Sequence, residues 1–207
     1  MRLLIYDLDG TLTKSDSIIQ FSKFMIINQK EWRFLFVVPL MALLKIRLLN
    51  NQQFKILYAK WIMKNYDIEK LTKKVTEYLN SEIFKEDLNE NVVTFLSSET
   101  DLKKIVLSAN YSFLVKPISE SLNISESISI NLEKKGSKFT GNIIGPIPYG
   151  SKKIDTFVSF MKGKKYSSTI GLADSMSDIP FLEYLDEGYL IRYHTQGNKT
   201  DFIKVKH

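Results

Sequence analysis

Two aspartates separated by a single residue follow a short apolar run near the start of the chain. Leu3 to Tyr6 are apolar, and Asp7-Leu8-Asp9-Gly10-Thr11 comes directly after them. Positions i and i+2 of an extended strand end project to the same side, so the two carboxylates share one space. Neighbouring carboxylates repel unless a hard cation lies between them. Gly10 permits an unusual turn whose N–H groups can face an anion, as in loops that bind phosphate.

Three further polar groups accompany other apolar runs. Asp174-Ser-Met-Ser-Asp178 supplies two acids four residues apart, Ser108-Ala109-Asn110 follows the run Lys104 to Leu107, and Lys152 and Lys153 precede an apolar stripe. Each group also has an ordinary structural explanation, namely an N-cap aspartate, a turn serine and a solvated lysine. Their order along the chain is therefore more informative than any one of them.

Four apolar runs predict buried strands of a parallel sheet in an α/β fold. They are Leu3 to Tyr6, Lys104 to Leu107, Tyr166 to Leu172 and Tyr189 to Arg192. The first three end at polar turns, and open α/β sheets bind ligands at the carboxyl ends of their strands. The polar turns are thus predicted to form one shared site.

About 90 residues of helical pattern separate the first two strands, which is more than one crossover helix needs. This pattern predicts a helical cap over 13–91, inserted in an α/β core of 1–12 and 92–207. A helix is predicted from Glu90 to Ser97. The alternation from Ser127 to Glu133, the turn at Gly136 and the segment Lys138 to Thr140 predict a β-hairpin.

Composition excludes several classes of protein. Hydrophobic residues make up 44% and charged residues 25% of the 207 residues, a balance typical of a folded globular chain. The chain has no cysteine and only two histidines, which argues against disulfides and a zinc site. The net charge of +6 comes without a nucleic-acid-binding motif, so no nucleic-acid partner is expected. The first residues do not form a signal peptide, so the cytoplasm is the default expectation.

The four groups together resemble the haloacid dehalogenase-like (HAD) hydrolases, which carry the same acid, serine, lysine and acid motifs in this order. The resemblance covers essentially the whole chain. Phe139-Thr-Gly-Asn142 and Tyr149-Gly-Ser-Lys-Lys153 are similar to the phosphoserine-phosphatase-type branch (subfamily IB), which has a helical C1 cap. The resemblance implies a Rossmann-like core, magnesium as cofactor and phosphatase activity on a small phosphorylated substrate.

The resemblance also implies a role for each acid. Asp7 would be the nucleophile that forms an aspartyl-phosphate, and Asp9 would protonate the leaving oxygen and later deprotonate water. Magnesium would be held by the Asp7 carboxylate, the Asp9 carbonyl and Asp174, with Asp178 supporting the site.

The phosphoryl oxygens would be held by Ser108 and a lysine. Lys153 is preferred to Lys152 because it directly precedes the apolar residue that starts the helix in the resembling pattern. After the serine the family more often continues with small residues or proline, whereas Asn110-Tyr111 follow here. The further residues expected on the substrate side are Gly10, Thr11, Ala109 and Asn110.

Three other functions stay open or are weighed against this one. A phosphotransferase that uses an alcohol acceptor would carry the same motifs, since only the acceptor differs. An inactive phosphate-binding module would be expected to have lost one of the catalytic acids, and a receiver-like domain has no room for the helical insertion. The substrate, a metabolite or a lipid phosphate, and the oligomeric state are not readable from the motifs.

The most apolar stretch, Trp32 to Leu49, belongs to the predicted cap. It falls short of a transmembrane span because only 11 uncharged positions separate Arg33 from Lys45. Buried cap helices kinked near Pro39 are the favoured interpretation. The alternative is an exposed apolar face, including Phe34 and Phe36 and rimmed by Arg33, Lys45 and Arg47, that contacts membrane lipid at the cytoplasmic surface.

Overall fold

A mixed sheet with helices on both sides forms the centre of the molecule. The structure, a computed structural model, describes residues 1–98, 102–195 and 199–205. The strands are β1 (Arg2–Tyr6), β2 (Leu102–Tyr111), β3 (Glu126–Lys135), β4 (Lys138–Ile144), β5 (Thr169–Ala173), β6 (Glu187–His194) and β7 (Lys199–Lys204). Their order is β4-β3-β2-β1-β5-β6-β7, with β4 and β7 antiparallel at the edges and the other five parallel. This confirms the predicted α/β fold with a Rossmann-like parallel core.

Nine α-helices accompany the sheet in the described residues. The first five lie between β1 and β2: α1 (Ser17–Ile27), α2 (Val37–Lys45), α3 (Asn51–Tyr58), α4 (Ile68–Leu79) and α5 (Glu82–Asp87). They are followed by α6 (Glu90–Ser98), α7 (Ser112–Ser121), α8 (Lys152–Met161) and α9 (Ile179–Tyr184). No helix in the described part of the chain is long and apolar enough to cross a membrane.

The central position of β1 explains its uninterrupted apolar sequence. Leu4 and Tyr6 face the larger hydrophobic cluster, which continues into the inserted helices, whereas Leu3 and Ile5 face the cluster formed with α8 and α9. All four side chains are at most 1% exposed. A strand that is buried on both faces needs apolar residues at every position, and this burial places Asp7 at the carboxyl end of the sheet's central strand.

The inserted helices leave and rejoin the core at a narrow crossing of two chain segments. Thr13 and Leu88 form an isolated antiparallel bridge, and the Asn89 N–H donates to the Leu12 carbonyl at 3.0 Å. The β3–β4 hairpin packs against the insertion: the Asn65 N–H donates to the Phe139 carbonyl at 2.8 Å, and the Phe139 N–H donates to the Tyr66 carbonyl at 3.1 Å. The helices therefore rest on the carboxyl end of the sheet, above Asp7.

Local sequence signals set the helix boundaries where a cap is present. Asp67 accepts from the Lys70 N–H at 2.9 Å at the start of α4, and Leu71, Val75 and Tyr78 form the buried face of that helix. Asp16 caps α1 in the same way, accepting from the Ile18 N–H at 3.0 Å.

The four predicted strands and the hairpin are confirmed, with differences at their ends. β5 begins at Thr169 rather than near Tyr166, and β2 continues through Ser108 to Tyr111 with a shift of register against β3. The alternation did not predict β7, because this edge strand is mostly exposed and mixes lysines with apolar residues. Pro39 lies in the first turn of α2, where a missing N–H is tolerated, so it does not kink a long helix as expected.

Candidate active site

The carboxyl ends of β1, β2 and β5 meet under the inserted helices and form the floor of a cleft. The Asp7 N–H donates to the Leu172 carbonyl at 2.8 Å, which joins the first turn to β5. The chain then turns sharply through Gly10, whose φ of 73° is a left-handed conformation that favours glycine. The cleft has a volume of about 610 Å³, and its walls include residues of the inserted helices and of the loops that follow the strands.

Lys153 bridges two acids at the base of the cleft. Its Nζ donates to Asp7 Oδ2 at 2.7 Å and to Asp178 Oδ2 at 2.8 Å, and its side chain is 3% exposed. Burial lowers the pKa of Lys153, but the charges of the two carboxylates outweigh burial and leave the pKa raised, so the lysine stays charged. Lys152, one position earlier in α8, is exposed to solvent.

Asp7 is largely buried, and the single positive charge of Lys153 faces both Asp7 and Asp178. Burial raises its pKa to about 6; the charge of Lys153 opposes this rise and the charge of Asp178 adds to it. A carboxylate in this setting is poorly solvated, which favours attack on an electrophile or binding of a cation.

Asp174 lies directly against the turn that follows Asp7. A Cβ added to Gly10 would come within 2.1 Å of Asp174 Oδ2, so the absence of a side chain at position 10 makes room for this carboxylate. Burial, together with the charge of Asp7, raises the pKa of Asp174 to about 6. Two carboxylates that destabilise each other's charge are a donor set suited to a hard cation such as Mg²⁺.

The cation-binding groups of the described residues are few. No three acidic, histidine or cysteine side chains there form a metal-binding cluster. The two carboxylates that could hold Mg²⁺ are those of Asp7 and Asp174, and the Asp9 carbonyl stays a predicted third ligand. Asp178 contacts Lys153, so the structure gives this acid a part in holding the lysine.

Asp9 is held by two residues, Ser17 at the start of α1 and Asn110 in β2. Its Oδ1 accepts from the Ser17 N–H at 2.8 Å and from the Ser17 hydroxyl at 2.6 Å, and its Oδ2 accepts from the Asn110 amide at 3.2 Å. Burial raises its pKa to about 7, the charge of Asp16 contributes to the rise, and Lys55 and Ser17 oppose it. A pKa near neutrality suits a group that both gives and takes a proton.

Sequence reasoning did not identify Ser17 as part of the site. It lies eight positions after Asp9 and begins a helix, and no local spacing links it to the acid. Asp16 and Lys55 were also missed; both line the cleft, with Lys55 Nζ 3.5 Å from Asp16 Oδ2. The N-cap pattern before α1 signals a helix start only.

The residues expected on the substrate side divide into two groups. Gly10, Ser108 and Ala109 line the cleft. Thr11 and Asn110 are fully buried and lie behind its wall, and the Asn110 amide also donates to the Ser17 hydroxyl at 2.9 Å. The structure therefore does not bring Thr11 and Asn110 to the cleft, because their side chains point into the protein interior.

Comparison with known proteins adds a family and a set of similar folds. The sequence profile of the haloacid dehalogenase-like hydrolases matches residues 4–183. No curated protein shows a significant match.

The solved structures give the fold likeness. A protein of unknown function from Bordetella pertussis Tohama I shares 20% identity with a TM-score of 0.79, covering 90% of this chain and 88% of that chain. A phosphoserine phosphatase solved as a phospho-aspartyl intermediate analogue shares 18% identity (TM-score 0.57, 90% and 84% covered). A phosphoserine phosphohydrolase-like protein from Francisella tularensis subsp. tularensis SCHU S4 shares 15% (TM-score 0.61, 91% and 86% covered).

At these identities the structural likeness concerns the fold, which is shared with the phosphoserine-phosphatase branch named above. The family profile spans most of the chain and includes all four motif groups. The chain belongs to the haloacid dehalogenase-like hydrolase family.

Proposed function

We propose that the protein is a magnesium-dependent phosphomonoesterase that works through an aspartyl-phosphate on Asp7. The observation that carries this proposal is the position of Lys153, whose Nζ lies 2.7 Å from the Asp7 carboxylate at the base of the cleft. A phosphate monoester seated beside Asp7 would meet a buried positive charge that neutralises its oxygens. Family membership and the similar folds of phosphoserine phosphatases support this reaction class.

The reaction then proceeds in two displacements at phosphorus. An Asp7 oxygen attacks the phosphorus, the bond between phosphorus and the ester oxygen breaks, and Asp9 gives that oxygen its proton. Asp9 next removes a proton from water, whose oxygen attacks the same phosphorus, so that inorganic phosphate leaves and the Asp7 carboxylate is restored. Asp7, Asp174 and the Asp9 carbonyl would hold Mg²⁺, which would neutralise charge at the phosphoryl oxygens.

The surrounding residues position these groups. Ser108 lines the cleft beside the nucleophile and can donate its hydroxyl to a phosphoryl oxygen. Ser17 and Asn110 fix Asp9, so they act through that acid. Asp178 holds Lys153 from the other side.

The proposal includes the division of labour between the lobes. Residues 1–12 and 92–207 would form the catalytic core, and 13–91 the cap that selects the leaving group. The bridge between Thr13 and Leu88 supports a boundary close to these positions. Side chains of α1, α2 and α3 line the cleft, which supports a role of this segment in selecting the leaving group.

Phosphate release from a generic aryl phosphate tests the proposal. The purified protein should turn over with Mg²⁺ and lose activity with a chelator. Asp7→Asn should fall to background because an amide is a far weaker nucleophile. Asp155→Asn, a change at an exposed acid in α8, serves as the control. Turnover that ignores the chelator, or an Asp7→Asn rate above about a hundredth of the normal rate, would rule the mechanism out.

A further inference from the structure

The segment from Trp32 to Leu48 has a buried face and an exposed face, and both are apolar. Phe34, Val37 and Leu40 recur every third residue and are at most 4% exposed. This spacing turns the intervening side chains outward. A surface helix normally presents polar residues there, but the exposed side chains between positions 35 and 42 are Leu35, Phe36, Val38, Pro39, Met41 and Ala42. Phe34, expected on the lipid-facing side, is instead buried against Phe21 and Tyr58.

Exposed apolar side chains are concentrated on this segment. Of the 18 large hydrophobic side chains that are exposed in the described residues, seven lie between positions 32 and 48. The rings of Trp32 and Phe36, which are 70% and 43% exposed, are 6.2 Å apart and form one surface feature. Contiguous apolar surface of this kind marks a site that contacts another phase or another molecule.

The excess of basic over acidic residues falls in a stretch of sequence that includes this segment. Positions 32–66 contain six basic residues and no acidic residue. Because the whole chain has 29 basic and 23 acidic residues, the rest of it is left with 23 of each and no net charge. The lysines are spread along the chain, as the sequence suggests, but the acids are absent from this segment. The six basic residues are Arg33, Lys45, Arg47, Lys55, Lys60 and Lys64.

The apolar face continues into the cleft. Met41, Leu44 and Lys45 of α2 and its C-terminal turn line the cleft whose floor contains Asp7. The same helix therefore contributes side chains both to the exposed face and to the cleft that contains Asp7.

We propose that the basic and apolar face of the cap, residues 32–49, docks on an anionic bilayer and that the substrate is a phosphate monoester whose apolar chain stays in that bilayer. Trp32, Phe36 and Val38 would enter the boundary between headgroups and acyl chains, and Arg33, Lys45 and Arg47 would meet anionic headgroups. A second copy of this chain is a poorer occupant, because a two-fold contact would bring the same basic surface against itself. The proposed substrate class rests on the proposed phosphatase function, whereas the proposed docking on a bilayer is independent of it.

Vesicle cosedimentation tests the docking. Vesicles of equal parts phosphatidylcholine and phosphatidylglycerol should bind the protein at low salt and bind less of it at high salt. They should also bind more of it than vesicles of phosphatidylcholine alone. The triple variant Trp32→Ser, Phe36→Ser and Val38→Ser should bind about tenfold more weakly or worse. Val158→Ser, which changes an exposed valine on α8, is the matched control and should bind normally.

Failure of the wild type to bind at low salt would overturn the proposal, as would equal binding by the triple variant. A triple variant that changes the oligomeric state without lipid, together with no vesicle binding, would assign the face to a second copy instead. Each result is read beside circular dichroism of the variant to confirm that it is folded.

The substrate arm compares long-chain phosphatidic acid in these vesicles with a short-chain, water-soluble phosphatidic acid. The wild type should release phosphate faster from the vesicles, and the triple variant should lose this advantage while keeping its rate on the aryl phosphate. Equal rates on both lipids would overturn the substrate class. Vesicle binding without phosphate release from any substrate would instead refute the phosphatase function and leave the docking face standing.

Discussion

Replacing Lys153 with methionine removes the positive charge between Asp7 and Asp178 while nearly conserving side-chain volume. Two hydrogen bonds of 2.7 and 2.8 Å are lost, and two buried carboxylates remain without their partner. Breaking a buried ion pair in this way costs about 3–5 kcal/mol of unfolding free energy. Domains typically have about 5–15 kcal/mol in total, so the variant should still fold in most of that range.

The destabilisation should depend on pH. The pKa of Asp7 is already about 6, and losing Lys153 removes the charge that lowers it. A carboxyl whose pKa is raised in the folded state contributes its full stabilisation below its unfolded pKa, and this contribution is lost as pH rises through the folded pKa. The deficit of Lys153→Met relative to wild type should therefore be small near pH 4 and largest near pH 8.

Activity should fall by about 10²–10³ in kcat, because a charged donor to the phosphoryl oxygens is absent. Urea unfolding with a chelator present measures stability across this pH range, and aryl phosphate turnover measures kcat. Lys152→Met, a change at the exposed neighbour, should alter stability by no more than about 0.5 kcal/mol and leave kcat near normal. A larger loss of kcat in Lys152→Met, or a pH-independent deficit in Lys153→Met, would refute this reasoning.

Two further changes test the turn at Gly10 and the place near Leu88 where the inserted helices rejoin the core. Gly10→Ala adds a Cβ 2.1 Å from Asp174 Oδ2 and should abolish most activity. The control Gly136→Ala changes a glycine with a similar φ of 59° whose added Cβ would meet nothing within 4 Å, so it should cost about 1–2 kcal/mol of stability and leave turnover normal. Equal losses of activity in the two variants would contradict this. Burial raises the pKa of Asp87 to about 6, so the stabilising contribution of this carboxyl is lost as pH rises from about 4 through about 6. In urea unfolding, the free energy of unfolding of Asp87→Asn should therefore rise relative to that of the wild type by up to about 3 kcal/mol between pH 4 and pH 8. Glu86→Gln, at the exposed neighbour, should show no such trend, and a pH-independent difference for Asp87→Asn would count against its raised pKa.

The sequence alone determined the acids, their order and the class of fold. A strand buried on both faces must be apolar at every position, so Leu3 to Tyr6 could be identified as a buried strand of a parallel sheet and Asp7 as the residue after it. The helical segment before the second strand was too long for one crossover, which predicted the inserted helices. These are local properties, because periodicity and composition act over a few residues at a time.

Contacts between distant positions were decided only by the tertiary structure. Asp7 and Lys153 are 146 positions apart, and adjacent lysines in α8 differ in environment because successive residues point about 100° apart around a helix. Asn110 reaches Asp9 across 101 positions, so a residue expected to touch substrate instead fixes an acid. Phe34 is buried and Phe36 is exposed, although both belong to one apolar stretch. An apolar sequence does not specify which face of a helix the rest of the protein covers, so only the tertiary structure distinguishes them.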